Sequence, residues 1–112
     1  MGREDILPNL VSEMRRGTLV LCVLARLGVP AYGYSLIEDL AGTGLAIEAN
    51  TLYPLLRRLE SQGLLEATWN TDGAKPRKYY SLTELGGQVL TELTMQWQAT
   101  VAAMNAILKE TT

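Results

Sequence analysis

The sequence predicts a mainly α-helical chain with one small β-hairpin (α+β) and a long closing helix, and three stretches carry that prediction. In NTLYPLLRRLESQG, Asn50 to Gly63, Leu52, Leu55, Leu56 and Leu59 fall at i, i+3, i+4 and i+7 and draw one apolar stripe on a 3.6-residue period. The runs LLEATW and RKYYSL, separated by the turn-rich NTDGAKP, read as two strands joined at Asp72-Gly73. Leu90, Leu93, Trp97, Val101, Met104 and Leu108 then step by three or four, a continuous helical stripe. A helix with a polar, basic outer face, followed directly by a hairpin with a basic loop, is the arrangement of a winged helix-turn-helix. Residues 1–83 are expected to form that unit, N-terminal helix included, and residues 84–112 a C-terminal helix for dimerisation.

Composition narrows the alternatives. A chain of 112 residues with 47% hydrophobic content is one ordinary globular domain. Its longest apolar run, LVLCVLA from Leu19 to Ala25, is far short of the roughly 18 residues of a membrane span. MGREDILP carries Glu4 and Asp5 and leads into no signal-peptide core, so a cytoplasmic protein with no membrane partner is expected. Cys22 is the only cysteine and there is no histidine, which excludes an intrachain disulfide and the common zinc and nucleophile–base arrangements. Carboxylates occur singly or as adjacent pairs such as Glu38 and Asp39. No catalytic residue, metal site or cofactor is expected, and no enzyme.

The net charge of −2 is unevenly divided. Residues 1–49 hold four basic and six acidic side chains, residues 50–83 five and three, and residues 84–112 one and three. Only the middle stretch is net positive. That modest excess suits a dimer bringing two such faces to one duplex.

In chain order, Ile6 to Leu27 is expected as one helix, with Pro8 near its start and Gly17 tolerated at a cost of about 1 kcal/mol against alanine. Its second half, Leu19 to Leu27, is apolar nearly all round and should be central to the core. Gly28 and Pro30 stop it. The next helix is expected after Tyr32-Gly33-Tyr34, running through SLIEDLAG with Leu36, Ile37 and Leu40 inward and Glu38 and Asp39 outward. Gly42 and Gly44 end it, and TGLAIEA is a connection of the length a helix-turn-helix tolerates. Gly63 supplies a left-handed residue after the following helix. Lys75, Arg77 and Lys78 sit on or beside the hairpin tip, where Pro76 stiffens the return. Alternation along the strand turns one of Tyr79 and Tyr80 inward. Thr83 caps the last helix and Glu84 favours its dipole. A small core cannot cover the whole stripe of a helix from Glu84 to Lys109, about 39 Å long, so a C2 homodimer is expected, with the Leu7, Leu10 and Met14 face of the first helix as partner.

Three segments, AYGYSLIEDL at Ala31 to Leu40, NTLYPLLRRLESQGLLE at Asn50 to Glu66 and PRKYYSLTELG at Pro76 to Gly86, resemble the PadR family of transcriptional regulators in order and spacing. The single C-terminal helix is similar to that of the small subfamily closed by this helix alone. The resemblance implies a sequence-specific DNA-binding regulator, a ligand-responsive repressor acting as a homodimer on an inverted repeat in double-stranded DNA. It further implies that Asn50, Thr51, Tyr53 and Arg57 face the major groove and that Lys75, Arg77 and Lys78 reach the backbone from the wing. The side-chain chemistry agrees, since arginine reads guanine bidentately and Asn, Thr and Tyr bond base edges or phosphate. For Tyr53 packing beneath the wing stays open as the other reading. The acidic pI leaves open a winged-helix protein–protein interaction module without direct DNA readout.

In the multidrug-sensing branch of this family a tryptophan on the last helix meets its symmetry mate across a central pore and sandwiches flat aromatic compounds. Trp97 stands at the matching distance beyond LTELG, and Met14, Thr18, Cys22 and Val101 are placed to line such a pore. The resemblance thus implies a planar aromatic or phenolic effector. The chain departs from that branch at Val101, where an acidic residue is usual, and at Thr94, where an aromatic one is. Trp97 as a dimer-interface anchor stays open beside the ligand role.

Overall fold

The computed structural model describes residues 2–111, so Met1 and Thr112, the outer ends of the two expected units, lie outside the described residues. The elements run α1 (Arg3–Arg16), α2 (Leu19–Arg26), β1 (Ala31–Tyr32), α3 (Gly33–Gly42), α4 (Ala49–Ser61), β2 (Leu65–Asn70), β3 (Arg77–Leu82) and α5 (Glu84–Thr111). The described strands form one antiparallel sheet in the order β1-β3-β2. This is a winged helix-turn-helix with a long C-terminal helix.

The core is built from one stripe of each helix. Val23, Leu24 and Leu27 of the α2 segment, Leu36 and Leu40 of α3, and Leu52, Leu56 and Leu59 of α4 close over Leu65 and Tyr80 of the hairpin. Of the stretch expected to be central, Leu19 to Leu27, Val23, Leu24 and Leu27 are buried, Leu19 to Cys22 are half-buried, and Ala25 and Arg26 are exposed. Helices α3 and α4 also close alike. Leu45 N–H bonds the Leu40 carbonyl and Gly44 N–H that of Ala41, while Leu64 and Gly63 repeat the pattern on Leu59 and Glu60, all at 3.0 Å. These paired bonds define the Schellman motif, whose C′ residue must be left-handed; Gly44 (φ 96°) and Gly63 (φ 81°) meet that need.

Three expectations need correction. The first helix is not continuous from Ile6 to Leu27, because it breaks after Arg16 and resumes at Leu19. Thr18 N–H and the Thr18 hydroxyl both bond the Arg15 carbonyl, at 2.9 and 2.7 Å, and that local bonding replaces the helical pattern at Gly17, whose backbone stays right-handed (φ −70°, ψ −13°). With α1 starting at Arg3, Pro8 lies inside the helix rather than in its first turn. The sheet has a third strand, since Ala31 and Tyr32 pair with Tyr80 and Tyr79, and α3 begins directly afterwards at Gly33. Two residues are too few for a period-2 signal, which is why the pattern missed this strand.

The wing is locked to the root of α5. Leu82 N–H bonds the Leu27 carbonyl at 2.9 Å and Thr83 N–H bonds that of Leu64 at 3.1 Å. The Thr83 hydroxyl donates to the Gly63 carbonyl at 2.6 Å and accepts the Gly86 N–H at 3.0 Å, so this residue caps the helix as expected. Gly86 itself is pressed against the Leu64 carbonyl, where a Cβ would collide with it. Val89, Leu90 and Leu93 still pack on the core, but farther along α5 the stripe emerges: Trp97, Met104, Ile107 and Leu108 are exposed. The 28 residues of α5 reach about 42 Å. Helix α1 buries none of its residues, leaving Ile6, Leu7, Leu10 and Met14 uncovered.

Candidate nucleic-acid interface

Burying one face of α4 leaves the other bare. Asn50, Thr51, Arg57 and Arg58 are all exposed, and among the described residues neither arginine is in an ion pair. Pro54 has no N–H for the Asn50 carbonyl, so that carbonyl has no helical donor and stays with the exposed first turns. Tyr53 is 37% exposed, its ring lying against the start of α3. A Cβ on Gly33 would stand 2.5 Å from the ring and hydroxyl of Tyr53, so the glycine makes room for the phenol.

The hairpin register sets the wing. Leu65, Ala67 and Trp69 lie opposite Leu82, Tyr80 and Lys78, and directly opposed residues share a face of the sheet. This face carries the buried Leu65 and Tyr80 and turns towards α4. Lys78 at its outer part puts Nζ 3.3 Å from Glu60 Oε1 of α4 and 5.1 Å from the centre of the Tyr80 ring. The neighbouring Tyr80 hydroxyl, and less strongly the hydrogen-bonded Glu60 carboxylate, hold the Lys78 ammonium above its ordinary 10.5, against a desolvation effect that ranks between the two. Arg77 lies on the opposite face, its guanidinium 4.6 Å from the centre of the Tyr32 ring, which meets Tyr79 edge-on at 5.4 Å. Of the three expected wing cations, Lys75 and Arg77 are exposed, whereas Lys78 is half-buried and engaged with α4. At the tip, Asp72 N–H bonds Asn70 Oδ1 at 2.9 Å, an Asx turn that orders the loop.

A separate groove of about 750 Å³ opens between the α1–α2 elbow and the middle of α5. Met14, Thr18, Leu21, Leu93, Trp97 and Met104 line most of it. Three of the five residues expected around a ligand, Met14, Thr18 and Trp97, thus come together. Cys22 and Val101 do not line the groove; Cys22 packs on the core instead, and the neighbouring Leu21 and Thr100 take the lining positions.

The model of the transcriptional regulator PadR-like family matches residues 20–92. The chain belongs to this family. It is 53% identical to a PadR-family transcriptional regulator from Eggerthella lenta, whose crystal structure superposes with a TM-score of 0.89 over 94% of each chain. A PadR-like transcription factor from Bacteroides fragilis is 40% identical, with a TM-score of 0.72 over 88% of this chain and 98% of that one. A transcriptional regulator of Mycobacterium tuberculosis is 36% identical over 61 residues, 54% of this chain and 57% of its own length. PadR-like proteins are transcriptional regulators rather than enzymes, and membership implies DNA binding. No described helix is long and apolar enough to cross a membrane.

The PadR fold also brings forward residues that the sequence pattern does not single out. Arg15 and Arg16, at the end of α1, border a groove of about 450 Å³ together with Glu48 and Thr51 at the start of α4. Their approach depends on the break at Gly17, which periodicity does not encode. Glu60 reads as an ordinary surface carboxylate until the hairpin register places Lys78 beside it. Trp69 stands 62% exposed at the end of the inward strand face, and its one available signal was a large aromatic next to a turn.

Proposed function

We propose that this PadR-family protein is a sequence-specific DNA-binding repressor that acts as a homodimer on an inverted-repeat operator and answers to a planar aromatic or phenolic effector. The observation that carries the proposal is the exposed face of α4, Asn50, Thr51 and Arg57, beside a wing whose Lys75 and Arg77 have no ion-pair partner among the described residues. In this reading α4 enters the major groove. Arg57 donates two hydrogen bonds to a guanine edge, Asn50 and Thr51 bond base edges or phosphate, and Tyr53 turns its hydroxyl to the backbone. Lys75, Arg77 and Lys78 serve the phosphates, Lys78 while bridging to Glu60. With chromosomal DNA as target, the site of action is the cytoplasm.

Residues 1–83 act as the DNA-binding unit and residues 84–112 as the dimerisation element. The bare apolar faces of α1 and of the outer half of α5 support this division, because neither finds cover within the protomer. A 14-residue helix with no buried residue is marginal alone, so α1 gains order by packing on a second chain. The groove at Met14, Thr18 and Trp97 lies on these same faces. An aromatic guest there alters the dimer and with it the spacing of the two α4 helices.

Fluorescence anisotropy with labelled fragments of the flanking promoter tests the proposal. Saturable binding to one fragment, tighter than to a scrambled duplex and weakening steeply with salt, is the expected result. Equal, negligible binding to every duplex would overturn it and favour the protein–protein module, the reading that the overall charge of −2 favours. A broad panel of planar dyes that leaves tryptophan emission unchanged would remove the effector role and keep Trp97 as an interface anchor only.

A further inference from the structure

The inward face of the hairpin extends beyond the part that the core needs. Along it, Tyr80 is 4% exposed, Lys78 is half-buried against Glu60, and Trp69, directly opposite Lys78, is 62% exposed. Tryptophan is the side chain with the most surface to lose by leaving water, and the fold leaves this one bare on the side facing α4. It does not stand on a plain surface. Tyr32, Tyr53, Arg57, Trp69, Arg77 and Lys78 border an open cleft of about 410 Å³ between α4 and the wing.

The cleft therefore has aromatic walls and three cationic side chains at its edges. Lys78 shares its charge with Glu60 at 3.3 Å, and among the described residues Arg57 and Arg77 have no carboxylate. Arg77 is nonetheless not loose, because the Tyr32 ring lies 4.6 Å beneath its guanidinium. A held, uncompensated guanidinium suits an oxyanion, and a flat apolar ring beside it suits a sugar. Alternating anion and sugar is the chemistry of a phosphodiester strand.

We propose that the cleft between α4 and the wing seats one stretch of DNA backbone, with Trp69 lying against a deoxyribose and Arg77 gripping the adjoining phosphate. This rests on the DNA-binding reading given above and adds to it a contact outside the base-reading face of α4. Lys78 bridged to Glu60 is a positioning residue here, fixing the width of the cleft by tying strand to helix. Because sugar and phosphate are the same at every step, Trp69 contributes affinity without sequence preference.

The test uses the full chain, a labelled mixed-sequence duplex in about 50 mM salt, where sequence-independent binding is strong, and the variants Trp69→Ala and Trp69→Phe. Duplex should change the tryptophan emission of the parent, and that change should vanish in Trp69→Phe, in which Trp97 is the tryptophan left. Trp69→Ala should bind mixed and promoter duplexes more weakly by the same factor, about tenfold, with Trp69→Phe in between. Since Trp69 is mostly exposed, both variants should keep the parent's circular dichroism and melting temperature. If the parent binds duplex but its emission change persists in Trp69→Phe, or Trp69→Ala binds as the parent does, the cleft proposal is overturned while DNA binding stands. Loss confined to the promoter duplex overturns it as well, since that is base reading. A parent that binds neither duplex overturns both readings. Saturation of the emission change by deoxyribose 5-phosphate, with no competition from duplex, would make the cleft a small-anion site and sink the backbone assignment.

Discussion

Helices α4 and α5 carry the same kind of apolar stripe and meet opposite fates. In α4, Leu52, Leu56 and Leu59 are at most 1% exposed, because α3 and the hairpin close over them within the chain. In α5 the stripe starts on the core at Val89, Leu90 and Leu93 and ends bare, with Leu108 57% exposed. An amphipathic pattern says that a face needs cover and not which chain supplies it. The polar sides differ as well: α4 shows Asn50, Thr51, Arg57 and Arg58 to solvent, whereas Lys109 is the one cation among the described residues of α5. One helix is finished within the protomer; the other keeps an uncovered apolar face.

That contrast orders the expected effects of substitution. Leu56→Ala empties a fully buried site and should lower stability by about 2–5 kcal/mol in denaturant titration, independently of protein concentration. The matching truncation in the bare half, Leu108→Ala, should shift the unfolding midpoint only where the protein is concentrated enough to associate, since its loss falls on the assembly. Arg57→Ala should leave unfolding unchanged, cost about 1–3 kcal/mol of operator affinity and relax preference at one base pair, measured by anisotropy across single-base operator variants. Uniform weakening across those variants would move Arg57 from base reading to the backbone.

The smallest expected effect belongs to Lys78. Its half-buried bridge to Glu60 is still reached by solvent and is worth about 1 kcal/mol or less, so Lys78→Met should lower the melting temperature by only a few degrees. The sign of its pH dependence follows from the raised folded-state value. The contribution is complete below the ordinary 10.5 and fades as pH rises through the higher folded-state value. Melting curves of parent and variant should differ by a constant amount at neutral pH and converge only in strongly alkaline solution.

Local signals made most of the fold legible. The stripe at Leu52, Leu56 and Leu59, the turn at Asp72-Gly73, the Thr83 cap and the glycines that close α3 and α4 each act within a few residues, so their patterns survive in the sequence. Features depending on distant partners did not show. The short strand at Ala31 and Tyr32 exists because β3 offers it hydrogen bonds, and the break at Gly17 follows from Thr18 bonding back to Arg15. The candidate site divides along the same line. The outward positions of Asn50, Thr51 and Arg57 follow from helical spacing alone. The engagement of Lys78 with Glu60 and the place of Trp69 beside α4 depend on hairpin register, which no single stretch encodes.

If the stripe of α5 holds two copies of α4 together, sedimentation equilibrium at micromolar concentration will read a dimer. The parent should sediment at twice 12.3 kDa, and Leu108→Glu combined with Met104→Glu should sediment at 12.3 kDa while keeping a folded circular dichroism spectrum. A parent that remains at 12.3 kDa at micromolar concentration would rule out the homodimer.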